Sequence, residues 1–160
     1  MVRAVFAVVA AVLLCAGSAV PEITGRMSTK QVTVSAASTD EIAARVNATR
    51  RSKGRATLTR SAKLDKAAMG HARDMARRGY FSHKAPDGTM PRARTLRAGY
   101  RACLVAENIA YRWRTPEQVV TDWMNSPKHR EIMLLREVTE FGVGYASGDF
   151  WVLVVARPGC

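Results

Sequence analysis

Three polar side chains stand in surroundings that give them no obvious structural task. His83 follows an aromatic pair in "GYFSHKAPDG", Glu107 lies among apolar neighbours in "CLVAENIAY", and His129 comes just after a Ser-Pro corner in "NSPKHREIML". Two imidazoles and one carboxylate form a donor set for Zn²⁺ or another divalent cation, with a fourth position left for water. Water held in that way is acidified and becomes a nucleophile. The same three groups suit a hydrogen-bonded polar cluster that shapes a cleft without metal. Their intervals of 24 and 22 residues are too long for a local ligand motif, so only tertiary folding can unite them. A hydrolase also needs a general base and an oxyanion stabiliser. No residue is assigned to either; Asn108 and Ser126 are candidates for polar walls of a cleft.

The elements that must carry these residues are legible from periodicity and capping. Ile42, Ala43 and Val46 share one face of a helix that Thr39 or Asp40 can cap and that "RRSKGR" breaks. Leu64, Ala68, His71 and Met75 form a stripe on the next helix, which Gly79 stops, so His71 is expected as a hydrogen-bonded core residue. After the "PDG" turn a short helix begins at Pro91 and stops at Gly99. Arg92 or Arg94 is read there as solvated or as reaching Asp87. In "TPEQVVTDWMNSP", Thr115 caps, Pro116 takes the first position and Gln118 completes a capping box, with Val119, Val120, Trp123 and Met124 on the buried face and Asp122 at the surface. Ser126 then caps a second short helix that starts at Pro127 and holds His129 in its first turn. The runs Phe141–Ala146 and Phe150–Arg157 join through Ser147, Gly148 and Asp149 as a hairpin. The second run is apolar on both sides and needs cover on both faces, as a central strand does. Together these predict an α+β fold, a three-layer α-β-α sandwich closed by a C-terminal antiparallel hairpin. Trp123 and Trp151 are expected as packing anchors.

With 160 residues, 48% of them hydrophobic, the chain has material for one domain. Residues 1–19, with Arg3 ahead of an uncharged run and small residues at Gly17 and Ala19, read as a secretory signal peptide. Residues 20–38 read as a flexible linker and 39–160 as the domain. Cys15 leaves with the signal, and an oxidising compartment would join the remaining Cys103 and Cys160 in a disulfide. The net charge is +12 for the whole chain and +11 once Arg3 leaves with the signal, which draws the protein to anionic envelope components or lipids. Its basic runs lack interleaved aromatics, so a dedicated nucleic-acid site is not expected.

"GYFSH", "RAGY", "AENIAY", "VVTDWMNSPKHREIML", "FGVGYA" and "FWVLVVA" occur in an order and spacing that resembles bacterial members of the CAP superfamily, from about Asp40 to Cys160. This group includes cysteine-rich secretory, antigen 5 and plant pathogenesis-related class 1 proteins. The resemblance implies an extracellular α-β-α sandwich with a cleft carrying two histidines and two glutamates. His83, Glu107 and His129 match three of the four. Ser126 stands where eukaryotic members place the second glutamate. On this basis the expectation is a secreted, monomeric, cell-wall-associated binding module, its cleft holding a divalent metal or a small lipid-like ligand. The alternative is a zinc-dependent hydrolase that uses the same residues.

Overall fold

The structure, a computed structural model, describes the backbone of residues 29–159 and side chains from residue 38 onward. The expected signal peptide and the first part of the expected linker lie outside the described residues. Helix α1 spans Thr29–Ser52, so residues 29–38 are helical and not the tether expected of them. No Gly or Pro interrupts this stretch. A helix already nucleated by the packed Ile42 and Val46 turns therefore extends through it, one hydrogen bond per added residue.

After α1 come β1 (Thr59–Arg60), α2 (Ala62–Arg78), α3 (Pro91–Arg97), β2 (Ala102–Tyr111), α4 (Pro116–Asn125), α5 (Pro127–Met133), β3 (Glu140–Ala146) and β4 (Phe150–Pro158). Punctuation follows the sequence closely. Gly79 ends α2 in the left-handed region with its N–H on the Met75 carbonyl. The α4 capping box forms on both sides, Gln118 N–H to the Thr115 hydroxyl and Thr115 N–H to the Gln118 amide oxygen.

One sheet runs in the order β1-β3-β4-β2, with β1 parallel to β3 and the other pairs antiparallel. The doubly apolar β4 is central, as its composition demands. Trp151, Leu153 and Val155 face a core with Ile42, Val46, Val119, Trp123 and Met133 from α1, α4 and α5. Val152, Val154 and Ala156 face a second core built on Leu64, Ala68, Ala72 and Met75 of α2. Each Val, Leu, Ile or Met among them contributes about 1.5–3 kcal/mol when fully buried. The result is the predicted α-β-α sandwich.

Strand β2 has no counterpart in the periodicity reading, which registers "CLVAENIAY" only as apolar context for Glu107. It pairs with β4 along its length, with a slip at Cys103: Ala102 faces Pro158 whereas Leu104 faces Arg157. Trp123 and Trp151 are buried anchors as expected, their indole N–H groups donating to the carbonyls of Ile109 and Trp113. Helix α2 lies so close to β3 that a Cβ at Gly142 would overlap the backbone of Leu64, and one at Gly144 the backbone of Ala68. Asp65 of the same helix accepts the Val143 N–H, which the short β1 leaves without a ladder partner.

Candidate functional site

The site is assembled at the β2 edge of the sheet. Glu107 and Asn108 are consecutive on that strand and project to opposite faces. Glu107 shares its face with Ile109 and α2, whereas Asn108 shares its face with Ala110, α4 and α5. The left-handed turn at Gly79 sends the chain from α2 back toward this edge and delivers His83 to Glu107. The His83 Nδ1–H donates to Glu107 Oε1 over 2.9 Å. Its ring is 45% exposed while the carboxylate is 1% exposed, so one end of the pair is wet and the other dry. With Nδ1 committed to the carboxylate, Nε2 is the nitrogen directed to a ligand.

Arg94 on α3 completes the arrangement. Its Nη2 donates to both Glu107 oxygens, at 2.9 and 2.8 Å, and to the His83 carbonyl at 3.0 Å; Nη1 donates to the Thr89 carbonyl. The expectation that Arg92 or Arg94 reaches Asp87 is corrected here. Asp87 instead accepts the Thr89 N–H two residues on, closing its own turn, and Arg92 donates to the Cys103 carbonyl. A buried carboxylate is the stronger attractor because its desolvation is offset only by a close cation and full hydrogen bonding. No local spacing in the sequence announces a partner 13 residues away.

His71 is the buried, hydrogen-bonded core residue that its stripe predicts, and it is also part of the site. Its Nε2–H donates to the Ser82 carbonyl at 3.0 Å and lies 3.8 Å from Glu107 Oε1. Burial holds its pKa below the ordinary value, against the opposing pull of Glu107. The ring is therefore a neutral wedge between α2 and the carboxylate.

His129 stands on the other face. Its carbonyl accepts from Asn108 Nδ2 at 3.0 Å, which ties α5 to β2. Its own Nδ1 and the Asn108 Oδ1 are buried without a hydrogen-bond partner among the described residues. Burial lowers the His129 pKa, against the opposing pull of Asp122. Asp122, half-buried, is thus not merely a surface residue of α4. Ser126 takes the N-cap position of α5 with an extended backbone, but its side chain makes no capping bond.

The expected ligand set of His83, Glu107 and His129 does not fit a shared cation in this geometry. Among the described residues no three His, Cys, Asp or Glu side chains converge to hold a metal. Both Glu107 oxygens are engaged by Arg94, and one also by His83. The carboxylate orients an imidazole from behind instead of standing beside it as a ligand.

A family model for the cysteine-rich secretory proteins, CAP, matches residues 43–156. The chain belongs to this family. Among curated CAP relatives, the Bacillus subtilis (strain 168) protein YkwD is 38% identical over 106 residues, which is 66% of this chain and 41% of that protein. The membrane protein YlbC of the same organism is 34% identical over 77 residues, 48% of this chain and 22% of that protein. The chain thus spans less than half the length of the curated relatives it matches. Among solved structures, an extracellular protein of Bacillus anthracis containing an SCP domain superposes with a TM-score of 0.78 at 25% identity, over 84% of this chain and 45% of that one. An outer surface protein of Borrelia burgdorferi, at 18% identity and a TM-score of 0.68 over 82% of this chain and 95% of that one, shares the fold. Among the described residues of this CAP domain, no helix is long and apolar enough to cross a membrane.

Proposed function

We propose that the chain acts outside the cell as an envelope-associated binding module, its cleft between His83 and His129 taking a small lipid-like ligand or a divalent cation. The observation that carries this reading is the engagement of both Glu107 oxygens by Arg94, with His83 on one of them. A carboxylate bonded in this way fixes the tautomer of an imidazole and is a poor proton acceptor for water. Ser126 supplies no second carboxylate at the position where the family resemblance places one. For a cation, the donors left over are Nε2 of His83 and the ring nitrogens of His129. Export is supported by structural relatives described as extracellular or outer-surface proteins, and contact with an anionic envelope by the net charge of +12. A Cys103–Cys160 disulfide belongs to the same reading. Cys160 lies outside the described residues, but the Gly159 N–H donates to the Arg101 carbonyl and so brings the chain end back to β2.

The test is calorimetric titration of the purified protein with palmitate and, separately, with zinc, repeated on His83→Ala and His129→Ala. At least one of the two probes is expected to bind the parent and to be lost in both variants, with circular dichroism unchanged. A folded parent that binds neither overturns the reading. Turnover of peptide, ester or glycan substrates in excess zinc, abolished in His83→Ala, would put the zinc-dependent hydrolase in its place.

A further inference from the structure

Between α2 and α3 lies a cavity of about 410 Å³. Five of its lining residues are cations: Lys66, Arg77, Arg78, Arg94 and Arg97. Two are acids, Asp74 and Asp87, and Asp74 is shared by Arg77 and Arg78. Counting Glu107 behind Arg94 as a third carboxylate leaves a surplus of two positive charges. That surplus matches a phosphate monoester, which carries about −1.5 to −2 at neutral pH. Arg97 is held by a neutral group, the Thr89 hydroxyl at 3.1 Å, and keeps the rest of its guanidinium fork for an anion.

A second, independent observation comes from Gly70. It sits in the interior of α2, where glycine is about 1 kcal/mol worse than alanine. Its φ is not positive, and a Cβ there would meet nothing within 4 Å, so neither backbone conformation nor close packing calls for glycine. Gly70 lines this cavity, and the missing side chain leaves its floor clear. By contrast, the cavity beside the exit of α5 sets Arg55, Arg130 and Arg136 against Glu131 and Glu137, a surplus of one.

We propose that the α2–α3 cavity is a binding site for a phosphate group, with Arg97 as its principal donor and Gly70 as its floor. Arg94 faces both ways, bonding Glu107 on one side and lining the cavity on the other. The cavity shares His71 and Arg94 with the candidate site but is not lined by His83 or His129: His83→Ala is expected to leave phosphate binding intact, so its failure and the failure of the cleft reading are distinguishable.

The test titrates the full chain with inorganic phosphate at constant ionic strength, followed by amide NMR. Saturable binding of one phosphate per chain is expected. Arg97→Ala should weaken it by roughly tenfold or more, the loss expected for a charge-assisted hydrogen bond. Gly70→Leu, which keeps the charge and favours the helix, should abolish it, and Arg136→Ala should leave it unchanged. Absence of saturation, binding in Gly70→Leu equal to the parent, or an equal loss in Arg136→Ala would overturn the proposal. Soluble poly(glycerol phosphate) and phosphatidylglycerol vesicles then distinguish the sources of the group. The one whose binding Gly70→Leu removes carries the ligand, and retention of both overturns the assignment.

Discussion

Arg94 Nη2 lies 2.9 and 2.8 Å from the two oxygens of Glu107, and through this contact α3 and β2 are held to the loop that presents His83. The carboxylate is 1% exposed and the guanidinium side chain 10%. Removing one member strands the other in a dry place, so Arg94→Met is expected to cost about 3 kcal/mol or more. The double variant Arg94→Met with Glu107→Gln removes both charges and should recover much of that loss. Urea denaturation of the two variants checks this; equal destabilisation would show that the ion pair is not the source.

The close approach of α2 to β3 makes Gly144 intolerant of a side chain. Gly144→Ala should destabilise the fold by about 3 kcal/mol, since backbone must move to admit the methyl group. Gly70→Ala, on the open side of the same helix, should instead stabilise by about 1 kcal/mol. Thermal melting of the pair gives opposite shifts if the contact is as described.

Stability should fall below neutral pH. Burial lowers the folded-state pKa of His71 beneath its ordinary 6.5, and burial does the same to His129. The unfolded chain therefore takes up protons first as pH falls, so the stabilisation is complete above about 6.5 and is lost as pH drops through the lowered folded values. Urea midpoints should be lower at pH 5 than at pH 7.5. His71→Gln should flatten that slope, whatever its effect on stability at pH 7.5; an unchanged slope would assign the pH dependence elsewhere.

Thiol titration of the exported protein should find no reactive cysteine until a reductant is added. Cys160→Ser should then lower stability by about 4 kcal/mol, the entropic value of closing a loop of this length. Labelling of Cys103 in the untreated protein would refute the pairing.

Most helices were legible because their signals are local. The stripe from Leu64 to Met75, the stop at Gly79 and the Thr115–Gln118 box each need only one turn of chain to be recognised. Strand β4 was legible for a different reason: an apolar run with no polar side fits only where both faces are covered. β2 was not, because Glu107 and Asn108 interrupt its apolar pattern, and those two residues are there for the site. Likewise His83 and Glu107 stand out as misplaced polar residues, whereas Arg94 looks like any basic residue in a basic chain. Its role exists only when α3 docks on β2. The stripe marks His71 as core, but a helical stripe cannot show that the core it enters ends at a carboxylate.

Gly142 and Gly144 let a helix rest on bare main chain, so the spacing between α2 and β3 is set largely by peptide groups. His71 and the turn that launches His83 both ride on that helix. On the β3 side, the frame of the pocket therefore rests on main chain, where exchange of one aliphatic for another has nothing to alter.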